Sequence, residues 1–295
     1  MLNNTRELLF QRAISVRSKK KLGQNFLVEP LTLQRIVDTL DLSSADTVLE
    51  IGPGLGFLTE LLCETGARVY AVELDRELLE PLAELKYHNL TVIHGDILEF
   101  DLAQIKASRI KVVGNVPYQI TTPIIAHTFG EIGEPAPWVQ QVESLTMTVQ
   151  VELARRICAP PGIKDYGQLT LLAQYYAQSR ILFKVGNEEF IPKPDVQSAV
   201  IQMTSLAKPP VAVEDPAFLR RVIVAGFKER RKMLKNNLSF TKLGEVELIS
   251  IFADLGISPA ARAENLSLAQ FAKIASRIAA KIAEDPARHK DLNPA

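Results

Sequence analysis

Apolar and polar positions along this chain follow two periods. Short, nearly continuous apolar runs recur at residues 47–51, 68–73, 90–94, 110–114 and 145–151. Runs of that kind suit strands buried on both faces. Between them, residues 31–40, 57–62 and 76–85 carry apolar positions three and four apart, as amphipathic helices do. Strand and helix therefore alternate to about residue 131, as a doubly wound α/β parallel sheet requires. Residues 166–178 continue with a helix whose Leu169, Leu172, Ala173 and Tyr176 share a face, and 181–185 and 198–203 read as a closing strand pair. From 211 the pattern is helical only: a helix near 227–238, another ended by Gly256, and a last one at 268–283. The expected organisation is an arm at 1–18, an α/β domain at 19–205, a smaller all-helical domain at 211–285 and a flexible tail at 286–295. The linker is Ser205-Leu206-Ala207-Lys208-Pro209-Pro210. The arm is read as a short helix, a flexible segment or, less readily, a remnant of organelle targeting. Residues 131–137 form a loop, and Trp138 after it packs on the surface or meets a ligand.

Candidate chemistry gathers at the strand ends. The first strand breaks into Gly52-Pro53-Gly54-Leu55-Gly56 before a helix begins at Phe57. Strand, glycine turn, helix is the ligand-binding corner of a doubly wound sheet. The spacing G-x-G-x-G differs from the G-x-G-x-x-G that seats a dinucleotide. A plain tight turn is the alternative reading. Glu73 ends the second strand, where a carboxylate can accept from both hydroxyls of a ribose; a solvated strand end is the alternative. Asp75 is either a partner in that site or a helix N-cap. Asp96 ends the third strand and can accept from an exocyclic amine. The fourth strand ends in Asn115-Val116-Pro117-Tyr118. There an Asn carbonyl and a neighbouring main-chain carbonyl can hold an aromatic amine, Pro117 fixes the turn, and Tyr118 offers a face for a flipped base. An Asn-x-Pro turn with a half-buried Tyr is the alternative.

Together these residues resemble the class I S-adenosylmethionine-dependent methyltransferases acting on adenine N6, and within them the small-subunit ribosomal RNA adenine dimethyltransferases. The resemblance runs from Lys19 to about Ala280. It includes Lys20-Lys21-Leu22-Gly23-Gln24-Asn25-Phe26-Leu27, the glycine loop, Glu73-Leu74-Asp75, Gly95-Asp96 and Asn115-Val116-Pro117-Tyr118. It continues through Phe190-Ile191-Pro192-Lys193-Pro194-Asp195-Val196-Gln197-Ser198 and Phe227-Lys228-Glu229-Arg230-Arg231-Lys232. Val151 stands where such proteins often have Lys, and Val116 where Leu is common. The resemblance implies a Rossmann-like sheet that binds S-adenosylmethionine at Asn25, Leu27, Gly52, Gly54, Glu73, Asp96 and Asn115. Asn115, Pro117 and Tyr118 would serve catalysis. Phe190 would border the base pocket, stacking opposite Tyr118, or else plug the core. The implied substrate is a pair of adjacent adenines in a hairpin loop near the 3′ end of small-subunit rRNA, within an immature 30S particle.

Charge adds a second feature. The formal net charge is zero, but its distribution is uneven. Residues 1–25 carry Arg6, Arg12, Arg17, Lys19, Lys20 and Lys21 against Glu7 alone. Residues 220–242 carry Arg220, Arg221, Lys228, Arg230, Arg231, Lys232, Lys235 and Lys242 against Glu229 alone. On a continuous helix Lys228, Arg231, Lys232 and Lys235 form one stripe, read here as binding RNA phosphate rather than as a merely solvated face. Cys63 and Cys158 form no metal or redox motif, and the four histidines lack ligand spacing, so no metal is expected. No apolar run has membrane-spanning length. The expectation is a cytoplasmic monomer without a membrane partner. The rivals are an Erm-type enzyme of large-subunit rRNA, a non-catalytic nucleic-acid-binding factor on the same fold, and a nicotinamide-dependent dehydrogenase. Retained Glu73, Asp96 and Asn115 speak against the second, and the loop spacing against the third.

Overall fold

The protein's structure is a computed structural model that describes residues 2–16, 19 and 23–284. Lys20, Lys21 and Leu22 of the basic motif, and the tail expected at 286–295, lie outside the described residues. In chain order the elements begin with α1 (Leu2–Ser15), β1 (Phe26–Leu27), α2 (Pro30–Thr39), β2 (Thr47–Ile51), α3 (Phe57–Glu64) and β3 (Arg68–Glu73). Next come α4 (Leu79–Ala83), β4 (Leu90–His94), β5 (Ile110–Gly114), α5 (Thr121–Phe129), β6 (Gly130–Glu131), β7 (Glu134–Pro135) and β8 (Val142–Gln150). The chain continues with α6 (Val151–Ile157), α7 (Gln168–Tyr176), β9 (Ala177–Val185), β10 (Phe190–Ile191) and β11 (Ser198–Ser205). It closes with α8 (Pro216–Lys228), α9 (Leu234–Asn237), α10 (Glu245–Asp254) and α11 (Leu268–Ala283).

Seven strands form one sheet in the order β4-β3-β2-β5-β8-β11-β9. From β4 to β8 the neighbours are parallel; β11 runs antiparallel to β8. Every residue of β2 and β5 is buried, as helix cover on both faces demands. The order reverses on either side of β2, so the carboxyl ends of β2 and β5 open a crevice, the usual place for a ligand. Outside the sheet, β1 pairs antiparallel with β10, Phe26 opposite Ile191 and Leu27 opposite Phe190. The arm is helical: Leu9 and Ala13 are buried, and Arg12 binds Glu60 and the Leu55 carbonyl at 2.9 Å while lying over the Phe57 ring.

The chain divides into two compact units. The first comprises Met1–Phe129, Ala136–Arg155 and Gln178–Ser205 and holds the sheet but for the first residue of β9; the second comprises Gly130–Pro135, Arg156–Ala177 and Leu206–Ala295. Within the second, the Phe227 and Phe271 rings stack with centroids 6.0 Å apart, and Leu219, Val222, Leu234, Phe252 and Ile274 are buried. Hydrogen bonds tie its separate segments together. The Tyr166 hydroxyl donates to the Leu266 carbonyl at 2.8 Å, the Gly162 amide to the Glu264 carbonyl at 2.7 Å, and the Tyr176 hydroxyl to the Glu131 carbonyl at 2.6 Å.

One expected helix does not exist. Residues 227–238 are not continuous: α8 ends at Lys228, a turn follows, and α9 starts at Leu234. Arg230 is drawn aside to the carbonyls of Lys164 and Tyr166 at 2.7 and 2.9 Å, and to Glu264. The Asn237 amide donates to the Gly226 and Glu229 carbonyls, supplying partners at the helix end that a continued helix would have supplied itself. Among the described residues no helix is long and apolar enough to cross a membrane.

Candidate functional site

A cavity of about 210 Å³ opens where β2, β3, β4 and β5 end. Its walls are the glycine loop, Val72–Leu74, Gly95–Ile97, the turn Asn115–Ile120 and a strap of residues 23–27. Gly52, Gly54 and Gly56 all have positive φ, which a side chain rarely adopts. A Cβ on Gly54 would stand 3.1 Å from the Phe26 ring, so this glycine admits the strap.

Glu73 is 5% exposed and spans two turns. Its Oε2 accepts from the Gly54 amide at 3.0 Å and its Oε1 from the Asp75 amide at 2.8 Å. A carboxylate offers about four acceptor sites, so capacity remains for a ligand. Burial, and then the Asp75 charge, raise the Glu73 pKa from the ordinary carboxylate value, against the amides of Asp75, Gly54 and Leu74. Glu73 is thus no solvated strand end. Asp75 is the helix N-cap of the two readings and does not line the cavity wall. It caps the following turn through the Glu77 amide at 3.1 Å, and it holds the strap through Lys19 Nζ at 2.7 Å and Gln24 Nε2 at 3.0 Å. Burial opposes its ionisation, but Lys19 and Gln24 together bring its pKa below the usual value. Asp96 lines the cavity half-buried, one oxygen accepting from the Leu98 amide at 2.9 Å.

Asn115, Pro117 and Tyr118 stand together on the opposite wall, all half-buried. The Asn115 amide donates to the Asn25 carbonyl at 2.8 Å. The Tyr118 hydroxyl is hydrogen-bonded to Ser198 Oγ at 2.5 Å, and burial raises the phenol's pKa. The ring is therefore fixed at both ends, by its turn and by β11. Asn25 and Leu27 lie on the strap beside these groups. The sequence reasoning missed Glu50 in the floor. It is 2% exposed, accepts from Thr59 Oγ1 at 2.6 Å, and is pushed up to about 8, by burial first and by Glu73 as well. Its only signal in the sequence is an acid inside an otherwise apolar strand. Gln24 and Ser198 belong to the sequence motifs, but nothing in those motifs indicates the bonds they make.

The profile of the family described as "Ribosomal RNA adenine dimethylase" matches residues 15–280. The chain belongs to that family. Curated relatives called "Ribosomal RNA small subunit methyltransferase A" include one from Clostridium botulinum, 38% identical over 279 residues, covering 93% of this chain and 98% of its own length. Another, from Streptococcus pneumoniae, is 43% identical over 272 residues, covering 88% and 91%. Two solved structures share the fold: a Plasmodium falciparum dimethyladenosine transferase (TM-score 0.69, 20% identity, 88% of this chain and 97% of that one) and the 23S rRNA methyltransferase ErmE (TM-score 0.67, 24% identity, 86% and 99%).

Other residues that the dimethylase resemblance singled out lie elsewhere. Phe190 is 2% exposed, pairs through β10 with β1, and packs in the core cluster with Leu33 and Val200. It is a core plug and does not line the cavity wall. In the second unit the break after Lys228 scatters the basic stripe. Lys232 pairs with Glu229 at 2.8 Å and Lys235 with Glu245, while exposed Lys228 and Arg231 make no ion pair among the described residues. Lys228 borders a recess with Arg220, Arg221 and Phe240, where the Arg221 guanidinium lies 5.2 Å from the Phe240 ring centre. Trp138 donates to the His127 carbonyl at 3.1 Å and packs on the His127 ring. Cys63 and Cys158 are held up at about 12 and about 11 by burial, so neither is a nucleophilic thiolate near neutral pH.

Proposed function

We propose that this protein uses S-adenosylmethionine to dimethylate N6 of two adjacent adenines in a hairpin loop near the 3′ end of small-subunit rRNA. The observation that carries this reading is a single cavity that joins Glu73, Asp96 and the glycine loop on one side to Asn115 and Tyr118 on the other. Relatives named for small-subunit rRNA methylation, at 38% and 43% identity over most of the chain, favour it over the Erm-type alternative, where the likeness is 24%.

The residues present fit the cofactor. Glu73 is a buried acid with lone pairs left over for a ribose, Asp96 keeps one oxygen for an adenine amine, and Gly52 and Gly54 keep side chains out of the loop. Asn25 and Leu27 would cover it from the strap. When bound, S-adenosylmethionine supplies an electrophilic methyl on a sulfonium. The chain's own residues then have to orient an amine rather than deprotonate it strongly. The side-chain oxygen of Asn115 and the main-chain carbonyl of Val116 accept the amine hydrogens and turn the nitrogen lone pair toward the methyl. Pro117 holds that turn, and the anchored Tyr118 ring carries the base. Such positioning accounts for a large share of rate in group transfer between bound partners.

Lys228 and Arg231 of the helical unit would meet RNA phosphates, as counter-charge to a polyanion. We read the working form as a cytoplasmic monomer acting on an immature 30S particle. Mass mapping of methyladenines in rRNA from cells lacking the protein tests this. Loss of dimethyladenine from the small-subunit 3′ hairpin is expected, with restoration by the gene. Intact dimethyladenine there would overturn the reading.

A further inference from the structure

An asparagine amide carries an acceptor at one end and two donors at the other, so its orientation decides what it can hold. Asn115 spends a donor on the main-chain carbonyl of Asn25, at 2.8 Å. Turned over, the amide would set its oxygen against that carbonyl, acceptor on acceptor. We infer that the Asn25 carbonyl is an orientation lock. It obliges residue 115 to carry a donor on the strap side, and so presents Oδ1 to the target amine and makes the position select an amide over a carboxylate. The inference deepens the proposed function and rests on its reading of Asn115 as the amine acceptor.

A lock works only if its carbonyl is held still, and the strap is held from several sides. Gly23 sits at φ +64, and a Cβ there would come 3.2 Å from Pro117 Cβ, so the strap lies directly against the turn that carries Asn115. The Asn25 side chain donates to the Gly23 carbonyl at 3.0 Å. Gln24 accepts from the Lys19 amide at 2.8 Å and donates to Asp75 at 3.0 Å. Asp75 in turn donates its amide to Glu73. Downstream, β1 pairs with β10 and the Val28 amide donates to the Glu189 carbonyl at 2.8 Å. A continuous run of bonded neighbours thus joins Glu73, Asp75, Gln24, Asn25 and Asn115. Gln24 and Asp75 are positioning residues for an amide they do not touch.

The chemistry of Asn115→Asp makes the lock visible. The ionised carboxylate has no hydrogen for the Asn25 carbonyl and is repelled by it. The protonated acid donates its hydroxyl hydrogen there and turns its carbonyl to the amine, recreating the native arrangement. The bond favours the neutral form and raises the carboxyl's pKa. Activity of the variant is therefore present below that pKa and lost as pH rises through it. Glu50, Glu73, Asp96 and Tyr118 are the other titratable groups on the cavity, and they are common to both proteins. The ratio of variant to wild type at each pH isolates the introduced carboxyl.

The experiment is single-turnover methyl transfer to unmethylated small-subunit particles at saturating S-adenosylmethionine, from about pH 6 to about pH 9. For Asn115→Asp the ratio should fall roughly tenfold per pH unit above the carboxyl's pKa. For Asn115→Ala it should be low and flat. Gln24→Ala should slow transfer about tenfold at saturating cofactor, where any weakening of cofactor binding through the strap no longer limits the rate. A flat ratio for Asn115→Asp, or wild-type rates for it at the alkaline end, would overturn the lock. So would loss of affinity in Gln24→Ala with no loss of rate at saturation. Inactivity of the wild type on these particles would instead overturn the proposed function.

Discussion

Replacing Glu50 with Gln separates the effect of charge from the effect of shape in the floor of the cavity. Glu50 is 2% exposed and its hydrogen-bond partner is Thr59 Oγ1. Burial, and then Glu73, raise its pKa from an ordinary 4.5 to about 8. Between those values the folded protein keeps a proton that the unfolded chain has released, so stability falls as pH rises. Below the lower value the group contributes nothing; above the upper one the loss is complete. At about 1.36 kcal/mol per pH unit, the interval amounts to something on the order of 5 kcal/mol. Gln keeps the acceptor for Thr59 and cannot ionise. Urea unfolding followed by Trp138, which is the only tryptophan and lies in the first unit, reads the effect where it arises. From about pH 5.5 to about pH 8.5 the stability of Glu50→Gln relative to wild type should rise by about 3 kcal/mol. Glu73 is also raised by burial, in the same direction; both proteins carry it, and it enters the difference only through its coupling to Glu50. A stability difference that stays constant across that range would refute the reasoning, because Glu50 would then titrate alike in folded and unfolded chains.

Three further outcomes are expected. Glu73→Ala should weaken S-adenosylmethionine binding by ~1.5–3 kcal/mol, the worth of hydrogen bonds to a charged group; unchanged calorimetric affinity would remove the ribose assignment. Tyr118→Phe should lose about 0.5–1.5 kcal/mol of stability with its bond to Ser198, a loss absent in a Ser198→Ala background. It should stay more active in single turnover than Tyr118→Ala, which forfeits about 1–3 kcal/mol of base stacking; equal damage would make the hydroxyl the working part. Replacing Lys228 and Arg231 with Gln should flatten the salt dependence of RNA binding by roughly 0.7–0.9 of slope for each phosphate no longer neutralised. The same change at Lys232 and Lys235 should do less, since Glu229 and Glu245 already engage them; equal slopes would contradict the pairing seen here.

β3, β4 and β5 have the bounds the pattern implied: β5 is buried throughout and reads as an unbroken apolar run, whereas the edge strand β4 is only half-buried and is marked instead by its β-branched residues. β8 starts at Val142, before the expected 145, because Glu143 and Ser144 interrupt the run while Glu143 serves as a partner for Arg109 and Lys111. α11 was legible at both ends: Ser267 caps it with Gln270, and its apolar positions hold one face. The break after Lys228 was not, since it is made by Arg230 reaching carbonyls at 164 and 166, which no local pattern encodes. The cavity's polar rim was legible as strand-end acids and Asn115. Its interlocking was not: the bond from Asn115 to Asn25 joins residues 90 apart, and the one from Tyr118 to Ser198 joins residues 80 apart.

The discontinuity of the second unit bears on how the chain can be made. Residues 156–177 leave the synthetic machinery early, but Tyr166 finds its carbonyl partner 100 residues later, at Leu266. Until then the apolar face of α7, with buried Leu171, Leu172 and Tyr175, has no finished surface to rest on. The sheet of the first unit can close as soon as β11 is complete, at residue 205. Synthesis thus passes through a stage with a closed sheet and an unsatisfied helix in the middle of the sequence, the kind of intermediate that recruits chaperones or aggregates. A chain stopped at the 205–210 linker would be arrested at that stage. Expressing residues up to 205 alone should therefore yield insoluble protein, however well the sheet itself is made.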